Sequence, residues 1–118
     1  MNAAEIRTKV AGASDIAGEL IHVPEWGCDL AVCPMTGTAL GKWQGQHGGD
    51  GDPKIDGRFI ASLLVHCLRG DDNELVYGEA DVEELANKNG VVLMRLFFVA
   101  QRVNYLSEAA LKDLEKNS

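Results

Sequence analysis

A chain of 118 residues, 46% apolar and 25% charged, has the size and composition of one globular domain, which excludes wholesale disorder. Eleven basic against 18 acidic residues give a net charge of −7, which argues against nucleic acid or an anionic membrane as the main partner. No stretch reaches the ~20 apolar residues of a membrane span, and the polar opening Met1-Asn2-Ala3-Ala4-Glu5-Ile6-Arg7 does not resemble a secretion signal, so a cytosolic protein is expected.

In chain order, residues 1–13 give no firm element and read as flexible; Ile6 and Val10 mark one turn of a weak helix at most. Ser14 is placed as the N-cap of a short helical turn. Residues 19–23 then read as a strand, Pro24-Glu25-Trp26-Gly27 as a turn, and residues 28–33 as the returning strand. A lone hairpin is marginal in water, so this one must pack on helices, with Trp26 plugging its open end. Thr36 caps a short helix carrying Ala39, Leu40 and Trp43, which Gly37 and Gly41 each weaken by up to ~1 kcal/mol. Residues 44–52, rich in Gly, Asp and His, read as a mobile loop.

Asp52 and Pro53 suit a helix start, and an apolar stripe at 59, 60, 63, 64, 67 and 68 carries that helix to about Arg69, where Gly70 ends it. Asp71-Asp72-Asn73 is turn chemistry, and Leu75-Val76-Tyr77 is a short extended piece. Asp81 followed by Glu84 starts a short helix, which Asn89-Gly90 ends. The helix from about Val91 to Leu106 is apolar almost all round, with Arg95 and Arg102 as a narrow basic stripe. A helix of that kind is a central core helix or makes an interface, and complete burial is hard to arrange in so small a domain. Val91, Met94, Phe97 and Phe98, with Arg95 and Arg102, are therefore the candidate surface for self-association or a partner, with the outward face left open. Ser107 caps a polar last helix, 108–116, with Leu111 and Leu114 inward. The fold class expected is α+β: a mostly helical single domain, 1–118, with an N-terminal antiparallel β-hairpin.

The charge is uneven. Asp71, Asp72, Glu74, Glu79, Asp81, Glu83 and Glu84 carry −7 with no Lys or Arg between them, so the rest of the chain is neutral. One acidic surface is expected, built on Asp71, Asp72, Glu74, Glu79 and Glu83; the plain alternative is a solvated face.

No catalytic constellation, metal site or cofactor motif stands out. Cys28, Cys33 and Cys67 are an odd number without a secretion signal, so a disulfide framework is not expected. Cys28 and Cys33 point to opposite faces of a strand, and no C-x-x-C or H-x-x-x-H spacing offers zinc a site. His66 and Cys67 are neighbours on the expected helix and diverge by about 100°, so they do not face each other as a nucleophile and base would. The run 50–57 misses the calcium-loop pattern at Lys54, Ile55 and Ala61, and the glycines at 45, 48, 49 and 51 lack a following Gly-Lys-Ser/Thr.

Taken in order, certain signals form a set: Val23-Pro24-Glu25-Trp26-Gly27, then Met35-Thr36-Gly37, then Leu68-Arg69-Gly70-Asp71-Asp72. Leu75-Val76-Tyr77, Asp81-Val82-Glu83-Glu84-Leu85-Ala86 and Asn104-Tyr105-Leu106-Ser107 follow, before a terminal Glu115-Lys116-Asn117. Together, over roughly residues 14–117, they resemble the tail assembly chaperones of long-tailed bacteriophages. The chain departs from that pattern at Asn73, where the acidic turn usually has Gly or Asp-Gly, at Tyr77, where Phe is common, and at Cys33-Pro34, where a basic residue is usual on the second strand.

The resemblance implies a non-catalytic protein of the host cytoplasm, absent from the mature virion. Such a protein binds the tape measure protein and keeps it soluble until tail tube subunits polymerise around it and displace the chaperone. It also implies a homo-oligomer, with the tail tube protein as a further partner and neither nucleic acid nor membrane. Two other readings compete. One is an acidic adaptor or nucleic-acid mimic that binds a basic partner. The other is a small enzyme using Cys67 or Cys33 with a histidine.

Overall fold

In the computed structural model, which describes residues 1–47 and 55–106, the hairpin forms where alternation placed it. Glu19–Val23 (β1) turns through a 3-10 segment, Pro24–Trp26, into Cys28–Val32 (β2). Gly27 makes the reversal at φ +65°, a left-handed conformation that costs glycine little. The register pairs Glu19 with Val32 and Val23 with Cys28. Val23, Leu30 and Val32 are buried, whereas Leu20, His22 and Asp29 face outward.

A third strand was not expected. Leu68–Arg69 (β3) pairs antiparallel with β2 at Val32 and Ala31, giving the order β1-β2-β3. The helix expected over 53–69 is accordingly shorter: Gly57–Leu64 (α3), capped by Asp56, whose carboxylate accepts from the Phe59 N–H at 2.9 Å. Asp52 and Pro53 lie outside the described residues. After Leu64 the chain tightens through a turn, and the Cys67 carbonyl accepts from the Cys33 N–H at 2.8 Å. Gly70 therefore follows a strand rather than a helix. Every residue from 59 to 68 is buried, and an unbroken buried apolar run carries no period to separate helix from strand.

The first helix is also longer than expected. Ala3–Ala11 (α1) starts at Asn2, whose side chain accepts from the Glu5 N–H at 2.9 Å, and none of its residues is buried. Ser14 caps no helix; residues 12–18 run irregularly to β1. Gly18 anchors that run, because a Cβ there would meet the Val32 carbonyl oxygen at 1.9 Å and the Cys33 Cα at 2.6 Å. All of these atoms are backbone of Val32 and Cys33, which cannot swing aside as a side chain could. Gly18→Ala is expected to cost about 1–3 kcal/mol, read as a lowered urea midpoint with the slope unchanged.

Gly37–His47 (α2) begins where Thr36 accepts from the Ala39 N–H at 3.1 Å and seats Trp43 in the core. Residues 44–47 are helical rather than looped, and 48–52 of the expected loop lie outside the described residues. A second 3-10 turn, Glu79–Asp81, leads into Val82–Ala86 (α4). The Asp81 carboxylate accepts from the Gly78 N–H behind it at 2.8 Å rather than capping α4 forward.

Gly90–Val103 (α5) starts at Asn89, whose side chain accepts from the N–H groups of Val91 and Val92 at 2.9 and 3.2 Å. α3 is the hub of the core, packed on α4 and α5, with the inner face of the hairpin against α5. At the far end of α5, Asn104 accepts from the Met35 N–H at 2.7 Å and donates to the Ala100 carbonyl at 2.8 Å, tying the helix to the exit of β2. Residues 107–118, including the expected last helix, lie outside the described residues. The described architecture is α+β and mostly helical, with the hairpin near the N-terminus.

Candidate interaction surface

α5 sorts its apolar residues cleanly. Val92, Leu93, Leu96, Phe97, Val99 and Ala100 are buried. Val91 is 71% exposed, Met94 37%, Phe98 59% and, just past the helix end, Tyr105 90%. Val91, Met94 and Phe98 fall at i, i+3 and i+7, the spacing of one heptad seam, over roughly 11 Å of helix axis.

Two of the residues expected on this surface take other roles. Phe97 is 2% exposed and packs edge-on to Phe59 at 6.1 Å between centroids, so it belongs to the core. The 100° step from one helical residue to the next puts Phe97 inward and Phe98 outward. Arg95 and Arg102 are not an open basic stripe. The Arg95 guanidinium donates to both Glu25 oxygens at 2.8 and 3.2 Å, and Arg102 grips Glu19 in the same way. The Arg95 fork holds the Glu25 carboxyl below its ordinary range. Glu25 ends the hairpin turn and Glu19 begins β1, so α5 lies antiparallel to β1, locked by two bidentate pairs.

Tyr105 is a residue that sequence reasoning missed as a surface feature. The Tyr105 N–H donates to the Arg102 carbonyl and the Leu106 N–H to the Gln101 carbonyl at 2.7 Å, a Schellman ending. That ending needs a left-handed residue, and Tyr105 supplies it at φ +57°. Glycine is the usual choice because a Cβ there costs roughly 1–2 kcal/mol. An exposed aromatic held at such a position adds little to the packing of the described residues, which makes it a candidate contact.

The single acidic surface expected divides in two. Glu79 lies 3.5 Å from Lys42 Nζ and 3.7 Å from His66 Nε2, and Glu83 lies 3.0 Å from Arg58. The packing of α4 on α3 brings these partners together from separate stretches of chain. Asp71, Asp72 and Glu74 remain as an exposed lip after β3, where the Asp72 carboxylate accepts from the Glu74 N–H at 3.0 Å. The exposed Leu75 and Val76 continue it.

A cleft of about 430 Å³ opens beside α3, lined among others by His47, Arg58, Ser62, His66 and Glu79. Ser62 sits 2.9 Å from His47 Nε2, yet its hydroxyl donates to the Phe59 carbonyl at 2.6 Å and accepts from Trp43 Nε1 at 3.2 Å. The one hydroxyl proton is thus committed to a backbone carbonyl, so His47 donates to Ser62 and does not act as its base. The buried thiols are equally ill suited to nucleophilic work: burial pushes Cys67 up to about 12 and also raises Cys33. Cys28 is exposed, on the opposite face as expected. Among the described residues no group of three His, Cys, Asp or Glu side chains is placed to hold a metal, and no helix is long and apolar enough to cross a membrane.

Burial also lowers the pKa of His47 and His66 from 6.5; Glu79 opposes the shift at His66, and Lys42 adds to it. The unfolded chain therefore binds more protons than the folded one just below 6.5. The stabilisation from neutral histidines is complete above that value and is lost as pH falls through the lower folded values. The urea midpoint is expected to drop between about pH 7.5 and about pH 5.5, before carboxylates protonate.

No family model matches the sequence, and no curated protein matches it. Among solved structures, that of the bacteriophage HK97 tail assembly chaperone superposes with a TM-score of 0.63 at 21% identity, over 84% of this chain and 97% of that one. The fold is thus a tail assembly chaperone-like fold.

Proposed function

We propose that this chain is a phage tail assembly chaperone, a non-catalytic host-cytoplasm protein that keeps the tape measure protein soluble until the tail tube forms around it. The observation that carries this reading is the fold, shared over 97% of the length of a tail assembly chaperone. The ordered motifs add support, because several of them have structural work. Val23–Gly27 makes the 3-10 reversal, Leu68–Asp72 forms β3 and its exit, and Asn104 ties α5 to Met35. Asn73, which stands where the family pattern has Gly, is left-handed at φ +65°, a conformation that Asn tolerates better than most residues.

The grip on the client is the outer row of α5. A long helical client with apolar stretches meets Val91, Met94 and Phe98 as one seam of knobs about one heptad long. A seam this small binds weakly at any one copy. Many copies along one client hold it in solution, and incoming tube subunits displace them one at a time.

Co-expression with the tape measure protein encoded alongside tests this reading. The expected result is a soluble complex with several copies per client on pull-down and light scattering, where the client alone precipitates. A client that stays equally insoluble and captures no chaperone contradicts it.

A further inference from the structure

We propose that α1 of one copy docks on the acidic lip, Asp71–Val76, of the next, so that copies of this chain join head to tail. α1 is a nine-residue helix with no buried residue, too short to persist alone in water without a surface to pack on. Its one apolar face is Ile6 and Val10, four residues apart and both exposed. Arg7 and Lys9 flank that face on its two sides, while Glu5 lies further round the helix. Among the described residues neither cation pairs with a carboxylate.

The lip is the complement. Leu75 and Val76 offer an exposed apolar pair beside Asp71, Asp72 and Glu74. It is also preformed. The Val76 N–H donates to the Leu68 carbonyl and the Gly70 N–H to the Glu74 carbonyl, both at 2.9 Å. Arg69 Nη1 donates to the Asn73 carbonyl at 2.7 Å. Two cations astride two apolar side chains thus meet three anions beside two, with little ordering cost on the receiving side.

The chain leaving α1 enters the sheet at its β1 edge and the lip leaves it at the β3 edge, the two ends of the order β1-β2-β3. Where each arm reaches a different neighbour from the one that reaches its own lip, the contact is heterologous and builds a ring or an open filament. Residues 12–18 give the arm roughly 24 Å of reach from its anchor at Gly18. This inference concerns the chain alone and stands whether or not the tape measure protein is its client.

Sedimentation velocity over a concentration series tests it. Wild type is expected to shift to faster species with rising concentration and to lose them at high salt. Arg7→Glu with Lys9→Glu, and separately Asp71→Lys with Glu74→Lys, each weaken association by roughly tenfold or more through like-charge contacts. An equimolar mixture of the two variants regains assembly, because each arm then finds a lip of opposite charge. All four positions are exposed, so circular dichroism stays near wild type. A wild type that is monomeric throughout, variants that assemble like wild type, or a mixture that stays dissociated overturns the proposal.

Discussion

Phe97→Glu is expected to unfold the protein, whereas Phe98→Glu leaves its circular dichroism and thermal midpoint at wild-type values. Phe97 is 2% exposed, and an unpaired carboxylate placed there costs several kcal/mol in addition to the lost ring. Truncating a buried Phe alone costs roughly 3–5 kcal/mol, against a total stability on the order of 5–15 kcal/mol for a domain. Phe98 is 59% exposed, so its substitution falls within about 0.5 kcal/mol. Urea denaturation of both variants checks the pair. If the proposed client face is correct, the folded Phe98→Glu protein no longer holds a tape measure segment. Loss of fold in both variants would instead make α5 core on every side.

Trp43→Ala is the second large effect, a loss of roughly 3–5 kcal/mol and a fall in Tm of roughly 10–20 °C. Trp43 is 2% exposed, with its ring centroid 5.3 Å from His47 and 5.7 Å from Phe59. Its indole N–H supplies the Ser62 hydroxyl with a donor at 3.2 Å, which the truncation removes along with the packing. Trp43→Phe keeps one ring in the core but loses that bond and the volume of the second ring, so it should lie about midway between wild type and Trp43→Ala. Scanning calorimetry on the three proteins gives the order. A Trp43→Ala protein as stable as wild type would show that α2 is not held by the core.

The parts of this fold legible in the sequence are those with a period or a cap. The hairpin follows from alternation over 19–33 and from Pro24 and Gly27 at the reversal, and the start of α2 follows from Thr36. β3 left no such trace, because residues 59–68 are all buried and a continuous apolar run reads as one long helix. The ladder to β2, a contact across the chain, is what cuts that helix at Leu64. α1 was understated for the opposite reason: nothing in it is buried, so its apolar pattern is faint.

At the candidate surface, the sequence pointed to α5 but not to its orientation. Arg95 and Arg102 looked like free charge because their partners, Glu25 and Glu19, lie some 70 and 83 positions away. Once those ion pairs fix the helix on the hairpin, Phe97 must turn in and Phe98 out. Tyr105 was hidden as the aromatic of a closing motif, and only its left-handed φ sets it apart.

The most direct measurement is light scattering during dilution of denatured tape measure protein into buffer with either wild type or the Met94→Glu, Phe98→Glu double variant. Wild type is expected to suppress aggregation in proportion to the copies added, and the folded double variant to leave the client aggregating as it does alone. Equal suppression by both proteins, or none by wild type, would contradict the account of α5 as the surface that holds the client.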